Sequence, residues 1–168
     1  MIIAIISLIF SFFLEGFISN FFPASLVGLS YFTTIYTVIA LVVLYPYFNN
    51  NYKKYYILLI IFGILFDIIY THTCLLNIMI FIIISLVTKF LNNFLAHNLL
   101  NINIMSLVAI IVYHVSSYII LNIISYYEYP FSLLTNIIVS SLIMTIIYTS
   151  ILYLILKKLF KMLKKEHL

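Results

Sequence analysis

The chain has 168 residues, 66% of them hydrophobic and only 7% charged, with a mean hydropathy of +1.27 and a formal net charge of +4. So little polar surface excludes a soluble globular domain of this size. Apolar runs of about 20 residues recur along the chain and are continuous rather than alternating, which excludes a β-barrel and predicts an all-α, polytopic membrane bundle.

Six spans are predicted, in chain order Ile2 to Phe22, Leu26 to Pro46, Tyr55 to Thr71, Leu75 to Phe94, Ile104 to Ser125 and Leu133 to Leu156. Polar punctuation separates them at Asn20 to Pro23, Asn49 to Lys54, Thr71 to Thr73, Asn92 to Asn103 and Tyr126 to Ser132. The first run lacks a basic start and a small-x-small cleavage site, so it reads as a retained helix rather than a signal peptide. Within it Ser7, Ser11, Glu15 and Ser19 recur every four residues and form one polar ridge. In the third span Gly63 lies one turn before Asp67, where a missing side chain lets another helix backbone approach and shield the acid. Ser141, Thr145 and Thr149 repeat the four-residue spacing in the last span.

These spans make residues 1–156 a six-helix transmembrane domain and residues 157–168 a basic amphipathic tail. In the tail Leu156, Leu159, Phe160 and Leu163 sit at i, i+3, i+4 and i+7, opposite Lys157, Lys158, Lys161, Lys164 and Lys165. That pattern predicts a continuation of the last helix along the inner leaflet. With a cytoplasmic N-terminus, Lys53, Lys54, Lys89 and the tail lysines all fall inside. The C-terminus is then cytoplasmic too. Glu128 and the interfacial ring of Tyr126, Tyr127 and Tyr129 fall outside.

The same orientation gathers Glu15, Asp67, Asn77, Asn122 and Asn136 in the outer half and leaves His114 at mid-depth. Serine and threonine ridges ordinarily mean helix packing, and the three asparagines lie near enough to the interface for hydration to satisfy them. A lone His114 is ordinarily satisfied by a neighbouring carbonyl. Intramembrane carboxylates are different, because a charged residue at the bilayer centre costs roughly 2.5–3.5 kcal/mol on insertion scales and therefore marks function or pairing. Glu15 and Asp67 are the prime candidates, for partner contact or structural pairing ahead of ligand or proton handling.

No catalytic or cofactor signature is present: no phosphate loop, HExxH, CxxC or Gly-x-Ser-x-Gly, and no histidine pair at metal-ligand spacing. The lone Cys74 offers no disulfide within the chain. The lysines hug the ends of spans, which gives no support to nucleic-acid binding.

The segment Phe62 to Phe81, FGILFDIIYTHTCLLNIMIF, resembles the rod shape-determining membrane protein family MreD. That family commonly shows a Gly-x-x-x-Asp step, here Gly63 and Asp67, and Gram-positive members follow it with a tyrosine and threonine, here Tyr70 and Thr71. Glu15, the chain length and the ending LKKLFKMLKKEHL are similar as well. Members often carry a glycine two to four residues after the turn, where this chain has Leu75, Leu76 and Asn77. The resemblance implies a non-enzymatic scaffold of the cell-elongation complex in the bacterial cytoplasmic membrane, active in cell shape and peptidoglycan synthesis. Its partners would be an MreC-like bitopic protein and, through it, an MreB-like filament and peptidoglycan synthases; a homo-oligomer is compatible. Glu15, Gly63, Asp67, Tyr70 and Asn77 would then shape the partner surface. The family's fold is similar to the substrate-binding subunits of energy-coupling-factor vitamin transporters, and such a subunit is the rival expectation.

Overall fold

The computed structural model describes residues 2–21, 34–48, 51–124 and 130–166, with side chains through 162. Its helices are α1 (Ile2–Phe21), α2 (Tyr36–Leu44, followed by a 3-10 turn at Tyr45–Phe48), α3 (Tyr52–Phe66), α4 (Leu76–Phe94), α5 (Leu99–Ile123) and α6 (Phe131–Glu166). A π-type turn, Asp67–Thr71, extends α3. No strand occurs among the described residues.

α2 is the axis of the bundle. Its sequence YTVIALVVL is apolar on every side, and all nine of its residues are buried. A helix without a polar face can be enclosed on every side, and α1, α4, α5 and α6 enclose this one. Around it, α3 packs on α4, α4 on α5, and α5 on α6. Phe12 closes the ring, meeting Phe62 and Phe66 of α3 edge to face with centroids 5.9 and 6.4 Å apart.

The outer surface is as apolar as the core. Phe10, Phe13 and Phe17 of α1, Ile57, Ile61 and Ile64 of α3, and Ile143, Ile147 and Ile151 of α6 are all exposed. In water such a surface would aggregate, whereas in lipid it is at home. Five helices are long and apolar enough to cross a membrane: Ile2–Phe21, Tyr52–Thr71, Leu76–Phe94, Leu99–Ile123 and Phe131–Met162. The chain is therefore a multi-pass helical membrane protein. The second predicted span is represented by the shorter Tyr36–Phe48, and residues 26–33 of it lie outside the described residues.

The hydroxyl ridges are packing surfaces. Ser7 and Ser11 are buried on α1, and Ser141, Thr145 and Thr149 are wholly buried on α6. Ser7, Ser11, Ser141 and Thr145 each donate to a carbonyl of their own helix. Used in that way they act as small residues that let helices close up. Two of them also accept across the bundle, from Tyr148 to Ser11 at 2.7 Å and from Thr34 to Thr145 at 2.6 Å.

One boundary differs from that expected. The polar stretch 92–103 is mostly helix, because Asn98 caps α5 by accepting from the Asn101 amide at 2.9 Å and so starts that helix at Leu99 rather than Ile104. Past residue 156 the last helix runs on, as the tail pattern predicts. α6 continues as one helix of 36 residues, about 54 Å long against a hydrocarbon core of ~30 Å. Aromatic contacts hold its far end. Phe160 stacks on Tyr47 at 4.2 Å, and His97 meets Tyr47 and Tyr153 edge-on. Lys157 sits 5.5 Å from the Tyr153 ring centroid. Partial burial, then the charge of Lys157, hold His97 below its ordinary pKa. Lys157, Lys158 and Lys161 are exposed at this end; the side chains of Lys164 and Lys165 lie outside the described residues, as do Tyr126 to Tyr129.

Gly63 sets the distance between α3 and α4. A Cβ there would stand 2.9 Å from Ile78 Cγ1 and 3.1 Å from its Cα. The nearer obstacle is a side chain, but the second is backbone and cannot swing away. Gly63→Val should therefore force the hairpin apart and lower stability by about 1–3 kcal/mol, read as an earlier unfolding transition in dodecyl maltoside titrated with SDS.

Candidate functional site: two carboxylates at helix starts

After Phe66 the chain must reverse within a few residues at the apolar end of the hairpin. It does so through the π-type turn and two left-handed residues, His72 at φ 50° and Leu75 at φ 64°. The turn delivers Asp67 to the start of α4. Asp67 Oδ1 accepts from the Asn77 backbone amide at 3.0 Å, from Asn77 Nδ2 at 3.0 Å and from the Thr73 hydroxyl at 2.5 Å. Asn77 Nδ2 also donates to Thr71 Oγ1 at 2.9 Å, and Asn77 Oδ1 accepts from Tyr113 of α5 at 2.6 Å. One network thus joins α3, the turn, α4 and α5. Asp67 is 3% exposed and Asn77 fully enclosed. Oδ2 of Asp67 is buried with no partner.

The chemistry is that of a helix cap supplied from a neighbour. α4 opens on Leu75, whose side chain has no oxygen to offer the free amides of the first turn. Asp67 supplies the acceptor from ten residues upstream, at the helix end whose free amides need one.

Glu15 does the same for α2. That helix opens on Ile35, again without a capping side chain. Glu15 Oε2 accepts from the Thr37 amide at 3.2 Å and the Thr37 hydroxyl at 2.8 Å. In both cases the acid bonds the amide and the side chain of the second helical residue. The repetition makes capping the shared role of the two acids.

Tyr70 ties the two halves. Its hydroxyl donates to the Phe12 carbonyl at 2.6 Å, and its ring crosses α1 at Gly16, where a Cβ would stand 2.7 Å from that hydroxyl. Glu15 and Asp67 share no hydrogen bond; each serves its own helix.

Of the outer-half residues, the structure brings Asp67 and Asn77 together and leaves the others apart. Asn77 is not hydrated: its amide is fully used inside the bundle, because α5 covers it with Tyr113. Asn122 donates to Tyr118 O on its own helix, and Asn136 is exposed. His114 Nε2 is buried without a partner, so no carbonyl satisfies it. Thr37, Thr73 and Tyr113 went unmarked by the sequence reading. Thr73 carried a local signal, as a hydroxyl in the turn after an acid; Thr37 and Tyr113 carried none.

Beside the network lies a half-open groove of about 860 Å³. Its lining is polar at Thr71, His72, Thr73, Tyr113 and Ser117 and apolar at residues such as Met79 and Ile120.

No protein-family model matches the chain, and no curated protein and no solved structure matches it.

Two outcomes follow from the geometry. Asp67→Asn keeps an oxygen that can accept from the Asn77 amide and the Thr73 hydroxyl, so it should unfold closer to the native midpoint than Asp67→Leu. Asp67→Leu strands the Asn77 amide and side chain, and should cost about 1–3 kcal/mol for each buried donor left unpaired. Glu15→Gln and Glu15→Leu should divide in the same way at α2. Leu75, 59% exposed and held at φ 64°, has the conformation that costs a side-chain-bearing residue ~1–2 kcal/mol. Leu75→Gly should therefore raise the unfolding midpoint; an unchanged or lower midpoint would count against strain at that position.

Proposed function

We propose that this chain is a non-enzymatic membrane scaffold of the MreD type, working in the cell-elongation complex of a bacterial cytoplasmic membrane. In this reading it crosses the membrane six times with both termini cytoplasmic, and its fold is akin to that of energy-coupling-factor substrate-binding subunits. It binds the membrane helix of an MreC-like bitopic protein, and through that protein serves an MreB-like filament and peptidoglycan synthases.

The observation that carries the reading is the α3–α4 hairpin. The residues that resemble the family segment are those that build it: Gly63 admits the α4 backbone, Asp67 caps α4, and Thr71 and Asn77 complete the network. Tyr70 locks the hairpin to α1. Leu75 has the left-handed conformation favoured by glycine, and it lies in the stretch Leu75 to Asn77 where members often carry one. A rigid hairpin with an apolar exterior suits a protein that acts by holding other helices. The lysines gathered at one end favour the cytoplasmic placement of that end.

A tagged copy extracted in mild detergent should bring down an MreC-like bitopic protein. Asp67→Leu should lose that partner and round the cells, while Asp67→Asn should retain both partner and shape. Recovery of no such partner with the native chain, or normal shape in both variants, would remove this reading.

The groove of about 860 Å³ favours one alternative, a substrate-binding subunit of an energy-coupling-factor transporter. It is of ligand size and lined by both polar and apolar residues. Native mass spectrometry would then find a vitamin-sized metabolite retained by the purified protein.

A further inference from the structure

A second groove, of about 360 Å³, runs between α1 and α6 and differs in kind from the first. Its walls are Ile3, Ile6 and Phe10 on α1 and Ile151, Ile155 and Leu159 on α6. The two polar residues in it are turned to internal use. Ser7 donates to the Ala4 carbonyl, and the Tyr148 hydroxyl is bonded to Ser11. The groove therefore presents hydrocarbon alone and suits a hydrocarbon occupant.

Its length and ends narrow the choice. The Ser11–Tyr148 bond joins the helices at one end, and the lining runs to Ile3 and Leu159 at the other, the end of α6 that carries Lys157, Lys158 and Lys161. From Tyr148 to Leu159 the rise is about 16 Å, close to half of a ~30 Å hydrocarbon core. That is the depth of one leaflet. Toward that end Ile151, Ile155 and Lys158 stand at i, i+4 and i+7, so Lys158 continues the groove-lining face of α6. Its side chain is exposed, and a lysine at this depth extends toward the headgroups.

We propose that this groove holds one acyl chain of an anionic phospholipid, with the lipid phosphate at Lys158. A bound chain fills the hollow left opposite Ser7 and fastens α1 to the lower part of α6. The site is independent of the scaffold reading and would exist equally in a transporter subunit.

The test is reconstitution in nanodiscs of equal phosphatidylglycerol and phosphatidylcholine, followed by release and native mass spectrometry. The native chain should retain phosphatidylglycerol in excess. Lys158→Gln should reduce that excess about fivefold, the factor expected for one lysine at an anionic surface. Lys53→Gln, at the same end of the bundle but on α3, should leave it unchanged. Ile155→Trp and, from the other wall, Ile6→Trp should lower retention of both lipids, with native unfolding midpoints showing that the bundle is intact. Equal retention of the two lipids by the native chain overturns the proposal. So does an equal loss in Lys53→Gln, or undiminished retention when either tryptophan fills the groove. A dimer mass that the tryptophans abolish would make the occupant a second copy, and would overturn it too.

Discussion

A helix whose first amides are buried must find acceptors for them without water, since each buried donor left unpaired costs about 1–3 kcal/mol. α2 and α4 begin on Ile35 and Leu75, which offer none. The rest of the architecture depends on how that deficit is met. Glu15 reaches from α1 to the Thr37 amide, and Asp67 reaches from α3 to the Asn77 amide. Each acid thus fixes the start, and so the depth, of the next helix. Because α2 is the buried axis, Glu15 sets the height of the element on which α1, α4, α5 and α6 pack.

This arrangement recasts what an intramembrane carboxylate signifies here. Burial and an apolar neighbourhood would suit a proton carrier or an ion ligand. The hydrogen bonds instead direct each acid to a backbone amide, with the side chain of the same residue as a second donor. In the proposed reading the partner surface lies on the α3–α4 hairpin that Asp67 holds.

Different parts of the molecule were legible in the sequence to different degrees. Long apolar runs announce helices because lipid demands that every backbone group be satisfied within its own segment. The four-residue ridges of Ser7, Ser11, Ser141 and Thr145 announce packing faces because helical periodicity is local. Gly63 and Asp67 could be paired for the same reason. Asn77 could not be read correctly, since its depth near a span end suggested water and only α5 brings Tyr113 over it. The tail's helical pattern was legible for the same local reason, but the stacking of Phe160 on Tyr47 needed the fold.

The sequence by itself determined the class of solvent, the helices, the single basic end and the two acids that matter. Those follow from composition and local spacing, which act on residues a turn or less apart. Only the tertiary structure decided what the acids bind, because Glu15 and Thr37 are 22 residues apart and Asp67 and Asn77 are ten. It also decided that Tyr113 joins the network and that α1 and α6 leave a hollow one leaflet deep. A helix in lipid is apolar on many sides, so its own sequence cannot say which side meets protein; that choice is made by the neighbours that satisfy its few polar atoms.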